Sequence, residues 1–109
     1  MKVLLDGSLP DELAERLSGF NMLTTRRMGL EDKGPATIMR EARDMKFDAI
    51  LTASRDYRFP MGSEGWTFGI VVLEISPATL EGYEAQIDRI RDGVLRCKAG
   101  ETVRVEWPR

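Results

Sequence analysis

Two aspartates, Asp6 and Asp56, each follow a short apolar run and each stand where a strand should end. Val3, Leu4 and Leu5 lead into Asp6, and Ala49-Ile50-Leu51-Thr52 leads towards Asp56. Consecutive apolar residues mark a strand buried on both faces of a parallel sheet, and open α/β sheets bind ligands at the carboxyl ends of such strands. Two carboxylates at neighbouring strand ends repel each other unless a cation sits between them. A hard divalent cation there, magnesium or manganese, would lower the pKa of a bound water and neutralise charge developing on a phosphodiester. Glu41 or Asp44, on the second predicted helix, would supply a third carboxylate. Arg55 and Arg58 flank Asp56 and are the nearest cations for a phosphate. The plain alternative reads Asp6 as a turn or capping aspartate, and Asp56 as a loop acid paired with Arg55 or Arg58.

The composition closes most other routes. The 109 residues contain no histidine, which removes Ser-His-Asp and Cys-His catalysis and histidine-ligated zinc. The single cysteine, Cys97, excludes an intramolecular disulfide and a multi-cysteine metal site. A net charge of −2 gives no overall pull on nucleic acid, so phosphate binding would rest on local arginine clusters such as Arg26-Arg27 or Arg55 with Arg58. Gly7 and Gly34 lack the spacing of a phosphate loop. A phospho-receiver domain is set aside, because Gly7 and Ser8 follow Asp6 and no lysine lies between Lys46 and Lys98. No signal-peptide pattern and no apolar run of bilayer length is present, so the expected compartment is the cytoplasm, with no membrane partner.

The elements that must position these residues follow in order. Ser8, Pro10, Asp11 and Glu12 read as a helix start, and Leu9, Leu13, Leu17 and Phe20 as one apolar helical face. A second strand is expected over Asn21–Met28. A helix opened by Pro35 follows, with Ile38, Met39, Ala42 and Met45 facing inward. The third strand spans Phe47–Ala53, and a loose segment from Ser54 to Thr67 carries the aromatics Tyr57, Phe59 and Trp66, for packing or for a groove. Phe68–Ile75 is the most strand-like run. Ser76-Pro77 opens a long helix with Leu80, Tyr83, Ile87, Ile90 and Val94 on one face, which packs on the sheet or forms a homodimer face. Thr102–Trp107 alternates like an edge strand with one wet face, and such a strand is free to run antiparallel. The whole predicts one domain over residues 1–109. Its class is α/β, a three-layer α/β/α sandwich on a mainly parallel sheet of about five strands.

Several of these segments together resemble the small bacterial PIN-like proteins. Lys2-Val3-Leu4-Leu5-Asp6-Gly7-Ser8-Leu9-Pro10 is similar to their opening K-x-L-L-D-E-N-L-P. Thr52-Ala53-Ser54-Arg55-Asp56-Tyr57 resembles their T-R-D-K-D-F, and Ile38-Met39-Arg40-Glu41-Ala42 the helix written D-E-E-I-L-x-x-A. The ending Thr102–Pro108 is similar to their closing strand. The resemblance implies a PIN-like fold and a metal-dependent endoribonuclease ancestry, often as the toxin of a toxin–antitoxin pair with an antitoxin-like protein partner. Carried onto this chain, it implies Asp6 and Asp56 as catalytic metal ligands for Mg or Mn, with Glu41 as a third. It leaves Ser54 to offer a hydroxyl to a metal-bound water, and Arg55 and Arg58 to contact RNA. The departures are Gly7 for Glu, Pro35 for Asp, and Ser54 for the first Asp of D-x-D. Loss of anionic ligands weakens binding of a hard cation. Two functions therefore stand open: a working metal-dependent ribonuclease, or a catalytically degenerate domain that binds RNA or protein.

Overall fold

The computed structural model describes residues 1–62 and 64–108. Five strands, β1 (Lys2–Leu5), β2 (Asn21–Thr24), β3 (Ala49–Thr52), β4 (Gly69–Ile75) and β5 (Thr102–Trp107), form one sheet in the order β2-β1-β3-β4-β5. Every neighbouring pair is parallel. The chain is α/β, with helices on both faces of the sheet. Alternate strand residues divide between two cores, as the period of two requires. Val3, Leu5, Leu51, Val71, Leu73 and Val105 face α1 (Leu13–Arg16), α3 (Leu80–Ala85) and α4 (Ile87–Arg96). Leu4, Ile50, Ile70 and Val72 face α2 (Pro35–Asp44) and the aromatics Tyr57, Phe59, Trp66 and Phe68. No helix among the described residues is long and apolar enough to cross a membrane.

β5 is an edge, as its alternation implies, but it runs parallel and not antiparallel. The reason is the crossover. α3 and α4 carry the chain back along the sheet before β5 begins, and a helical return delivers a parallel strand.

The predicted first helix shrinks to the four residues of α1. Its apolar spacing is genuine, with Leu9, Leu13 and Leu17 all buried. The preceding chain meets that spacing with three-residue turns, in which Leu9, Leu13 and Ala14 donate to the carbonyls of Asp6, Pro10 and Asp11. Ser8 caps nothing, because its hydroxyl accepts from the Ala53 amide at 2.9 Å.

α2 starts at Pro35 as expected and buries Ile38, Met39 and Ala42, whereas Met45 lies past its end and is exposed. The late helix starts at Leu80, capped by the Thr79 hydroxyl, and breaks at Gln86 into α3 and α4. Tyr83 is 2% exposed, which removes it from any dimer face. Tyr57 is buried, and the rings of Phe59, Trp66 and Phe68 meet tilted or edge to face with centroids 5.6 Å apart, so the loop aromatics pack over the α2 side of the sheet.

Candidate functional site

Asp6 stands one residue past the register pair Leu5–Leu51, and its amide donates to the Leu51 carbonyl at 2.9 Å. That places it level with Thr52 on the α2 face, at the carboxyl ends of the adjacent strands β1 and β3. The Tyr57 hydroxyl donates to Asp6 Oδ1 at 2.7 Å. Thr52 Oγ1 donates to Oδ2 at 2.9 Å, and the Ser8 amide donates to the same oxygen at 3.2 Å. A second ring of contacts holds the donors. Ser8 Oγ lies 3.2 Å from Thr52 Oγ1, which accepts from the Ser54 amide at 2.9 Å. The Asp56 amide in turn donates to Ser54 Oγ at 3.1 Å.

Asp6 is 8% exposed, and burial by itself pushes its carboxyl up. The donors of Ser8, Tyr57 and Thr52 outweigh that and hold it below the usual carboxylate range. Asp6 is therefore an anion at neutral pH, neutralised by hydroxyl and amide dipoles. No lysine or arginine pairs with it among the described residues. Burial and the Asp6 charge push the Tyr57 phenol far above its ordinary value, so it stays a donor across the working pH range.

A depressed folded-state pKa stabilises the fold above the unfolded value of about 3.9 and loses that stabilisation as pH falls through the lower folded value. Denaturant melts should thus be flat with respect to Asp6 from neutral pH down to about 5 and weaken below about 4. An Asp6→Asn variant should lose less between pH 7 and pH 3 than wild type does.

The other sequence candidates lie around this centre without completing it. Asp56 is exposed and lines a groove against α2 with Arg40, Arg43, Arg58 and Trp66. Glu41 is half-buried on α2, and Asp44 is exposed with Arg43 at 3.7 Å. Ser54 serves the turn, through its amide to Thr52 and its hydroxyl to the Asp56 amide. Arg55 pairs with Glu74, and Arg58 Nε donates to the Arg55 carbonyl at 3.4 Å.

No protein-family model, curated protein or solved structure matches this chain.

The residues present do not fit the divalent cation that the PIN-like resemblance implies. Among the described residues no three Cys, Asp or Glu side chains gather into a group able to hold a metal. The protein's own donors take three of the roughly four acceptor positions of Asp6, one on Oδ1 and two on Oδ2. A hard cation needs several oxygens turned towards it, and Asp6 brings one acceptor position that the protein's own donors do not use.

Four side chains with parts in this region escape the sequence reading. Ser8, Thr52 and Tyr57 carry no charge and look like ordinary turn and core residues. Glu74 is the lone acid in Val-Val-Leu-Glu-Ile and sits near the end of β4 on the α2 face, its side chain 16% exposed. Arg55 and Arg104 both approach it, the latter with Nε at 3.7 Å. A cleft beside it is lined by Arg55, Arg58, Phe59 and Arg104. This cleft and the groove against α2 share Arg58.

Proposed function

We propose that this chain is a PIN-like domain that binds single-stranded RNA without cutting it, with Asp6 serving as a structural anchor. The observation that carries the reading is that both oxygens of Asp6 are engaged by the protein's own donors. A buried carboxylate whose oxygens accept from Tyr57, Thr52 and Ser8 ties β1 to β3 and pins Tyr57 over the sheet. The motif correspondences around Asp6 and Thr52–Tyr57 support a PIN-like origin, and Gly7, Pro35 and Ser54 support the loss of its acids.

RNA is favoured over a protein partner by the two grooves that meet at Arg58. Between them they present Arg40, Arg43, Arg55, Arg58 and Arg104, against Asp56 and Glu74. Phe59 and Trp66 lie among them, and Arg43 already stacks over the Trp66 ring at 5.0 Å. Arginines interleaved with aromatics suit the phosphates and base faces of a single strand. The cleaving alternative is a Mg- or Mn-dependent endoribonuclease acting as a cytoplasmic toxin with an antitoxin-like partner, and it requires Asp6 and Asp56 to turn towards one cation.

Fluorescence anisotropy with a labelled single-stranded RNA, followed by gel analysis of the same samples in manganese, tests the reading. Salt-sensitive binding without cleavage is expected. Arg58→Glu should weaken binding about tenfold and flatten the salt dependence. Manganese-dependent cleavage that Asp6→Ala abolishes would overturn the proposal in favour of the nuclease.

A further inference from the structure

We propose that the free edge of β5 is the interface of a two-fold homodimer, in which β5 pairs antiparallel with β5 of a second copy. The register places Val105 opposite Val105 and Arg104 opposite Glu106. The proposal rests on the edge alone and stands whether or not the domain binds RNA.

The strand is the last in the sheet and is bonded on one side only. Glu101 and Trp107 direct their carbonyls to β4, accepting from the Ile70 and Ser76 amides at 2.9 Å and 2.8 Å. Odd-numbered residues of β5 therefore turn their backbone inward, and Thr102, Arg104 and Glu106 turn theirs outward. An antiparallel partner must pair these even positions with even positions. That requirement leaves a few registers, and charge separates them. Centring on Arg104 sets arginine against arginine. Centring on Glu106 sets glutamate against glutamate. Centring on Val103 leaves both charges without an opposite. Centring on Val105 sets Arg104 against Glu106 twice and joins them through backbone hydrogen bonds. On the opposite face it puts Trp107 against Val103 on each side of the Val105 pair. Opposite charges and aromatic–β-branched pairs are the cross-strand combinations that stabilise an antiparallel ladder.

The electrostatics of the single chain leave this arrangement incomplete. Glu74 and Glu106 are register partners on β4 and β5, so two carboxylates stand side by side on one face. Glu106 is exposed and makes no ion pair among the described residues, while Glu74 is shared by Arg55 and Arg104. A second copy brings its Arg104 to Glu106 and relieves that repulsion. On the other face Trp107 is 37% exposed under Arg89, whose guanidinium lies 4.5 Å from the ring centre, and Val103 of the second copy would cover it. The same patch meets itself through a two-fold axis, as a closed dimer demands.

Sedimentation velocity tests the pairing, with wild type expected as a dimer at about 100 μM. Glu106→Arg removes no ion pair or hydrogen bond among the described residues, and it should raise the dissociation constant roughly tenfold or more by setting arginine against arginine. Arg104→Glu should do the same with carboxylates. Mixing the two variants should restore assembly as a heterodimer, because each then supplies the charge the other lacks. Independently, oxidising a mixture of Val103→Cys and Trp107→Cys chains should give a covalent dimer, since the register sets these two partly or fully exposed positions opposite each other; this reading survives if Arg104→Glu fails to fold. A monomeric wild type, a Glu106→Arg variant that dimerises as tightly as wild type, or a mixture of Val103→Cys and Trp107→Cys chains that does not cross-link would each overturn the proposal.

Discussion

Replacing Asp6 with alanine should destabilise the protein by about 3 kcal/mol, seen as a fall of roughly 10–15 °C in Tm. The carboxylate accepts charge-assisted hydrogen bonds from Tyr57 and Thr52. Both donors are buried, at 4% and 0% exposure, so neither recovers its bond from water once the acceptor has gone. Thr52 keeps Ser8 and the Ser54 amide as partners, whereas the Tyr57 hydroxyl is left with none among the described residues. Most of the loss should therefore track that phenol. Tyr57→Phe alone should cost about 1–2 kcal/mol, and the double variant should be less unstable than the two losses added, because it removes the stranded donor together with its acceptor. Thermal melts of the four proteins in chelator measure this. A metal site predicts the reverse, since an unpaired carboxylate kept for chemistry strains the empty fold and its removal leaves stability level or higher. An Asp6→Ala variant that melts at or above wild type would make Asp6 an active-site acid and not an anchor.

The same contrast explains how far the sequence could be read. Strand positions were legible because burial on both faces writes an unbroken apolar run. Val3–Leu5, Ala49–Leu51 and Ile70–Leu73 all announce themselves, and Thr102–Trp107 shows its wet face by alternating. The direction of β5 was not legible, for it depends on how α3 and α4 return the chain and not on the strand's own residues. The Leu9–Phe20 stretch misled because three-residue turns and an α-helix place apolar residues at nearly the same spacing.

At the site, the charged residues stood out and the neutral donors did not. Asp6 was visible as an acid at a strand end, yet the hydroxyls of Tyr57 and Thr52 that hold its oxygens were not. Those two side chains read as core until the fold brings them to its oxygens. Asp56 lies only a short way along the chain from Thr52, but the turn made by Ser54 directs it towards α2.

Gly69 gives the second large effect, and it bears on the arginine-lined cleft. A glycine opening a buried strand is a weak point unless backbone must pass close by. Here a Cβ would lie 2.1 Å from Cys97 Sγ and 2.6 Å from the Lys98 carbonyl oxygen, with the Glu101 carbonyl oxygen at 3.2 Å. The thiol is itself fixed by burial, which, with the nearby Glu101, pushes its pKa up to about 11, so it stays a neutral packing group. Rotating Cys97 aside relieves one contact, but the two carbonyls belong to the turn that leads into β5 and cannot rotate away. Gly69→Ala should therefore force that turn outward and cost about 3 kcal/mol. Gly100 and Thr102 line the cleft together with Arg55, Arg58 and Arg104. Displacing the turn should thus weaken the proposed RNA binding at temperatures where the variant is still folded, while Cys97→Ala in the same background should recover only part of the stability. Paired urea melts and anisotropy titrations read both effects. Full recovery on removing the thiol would mean that the carbonyls do not set the limit and that Gly69 is required only to make room for sulfur.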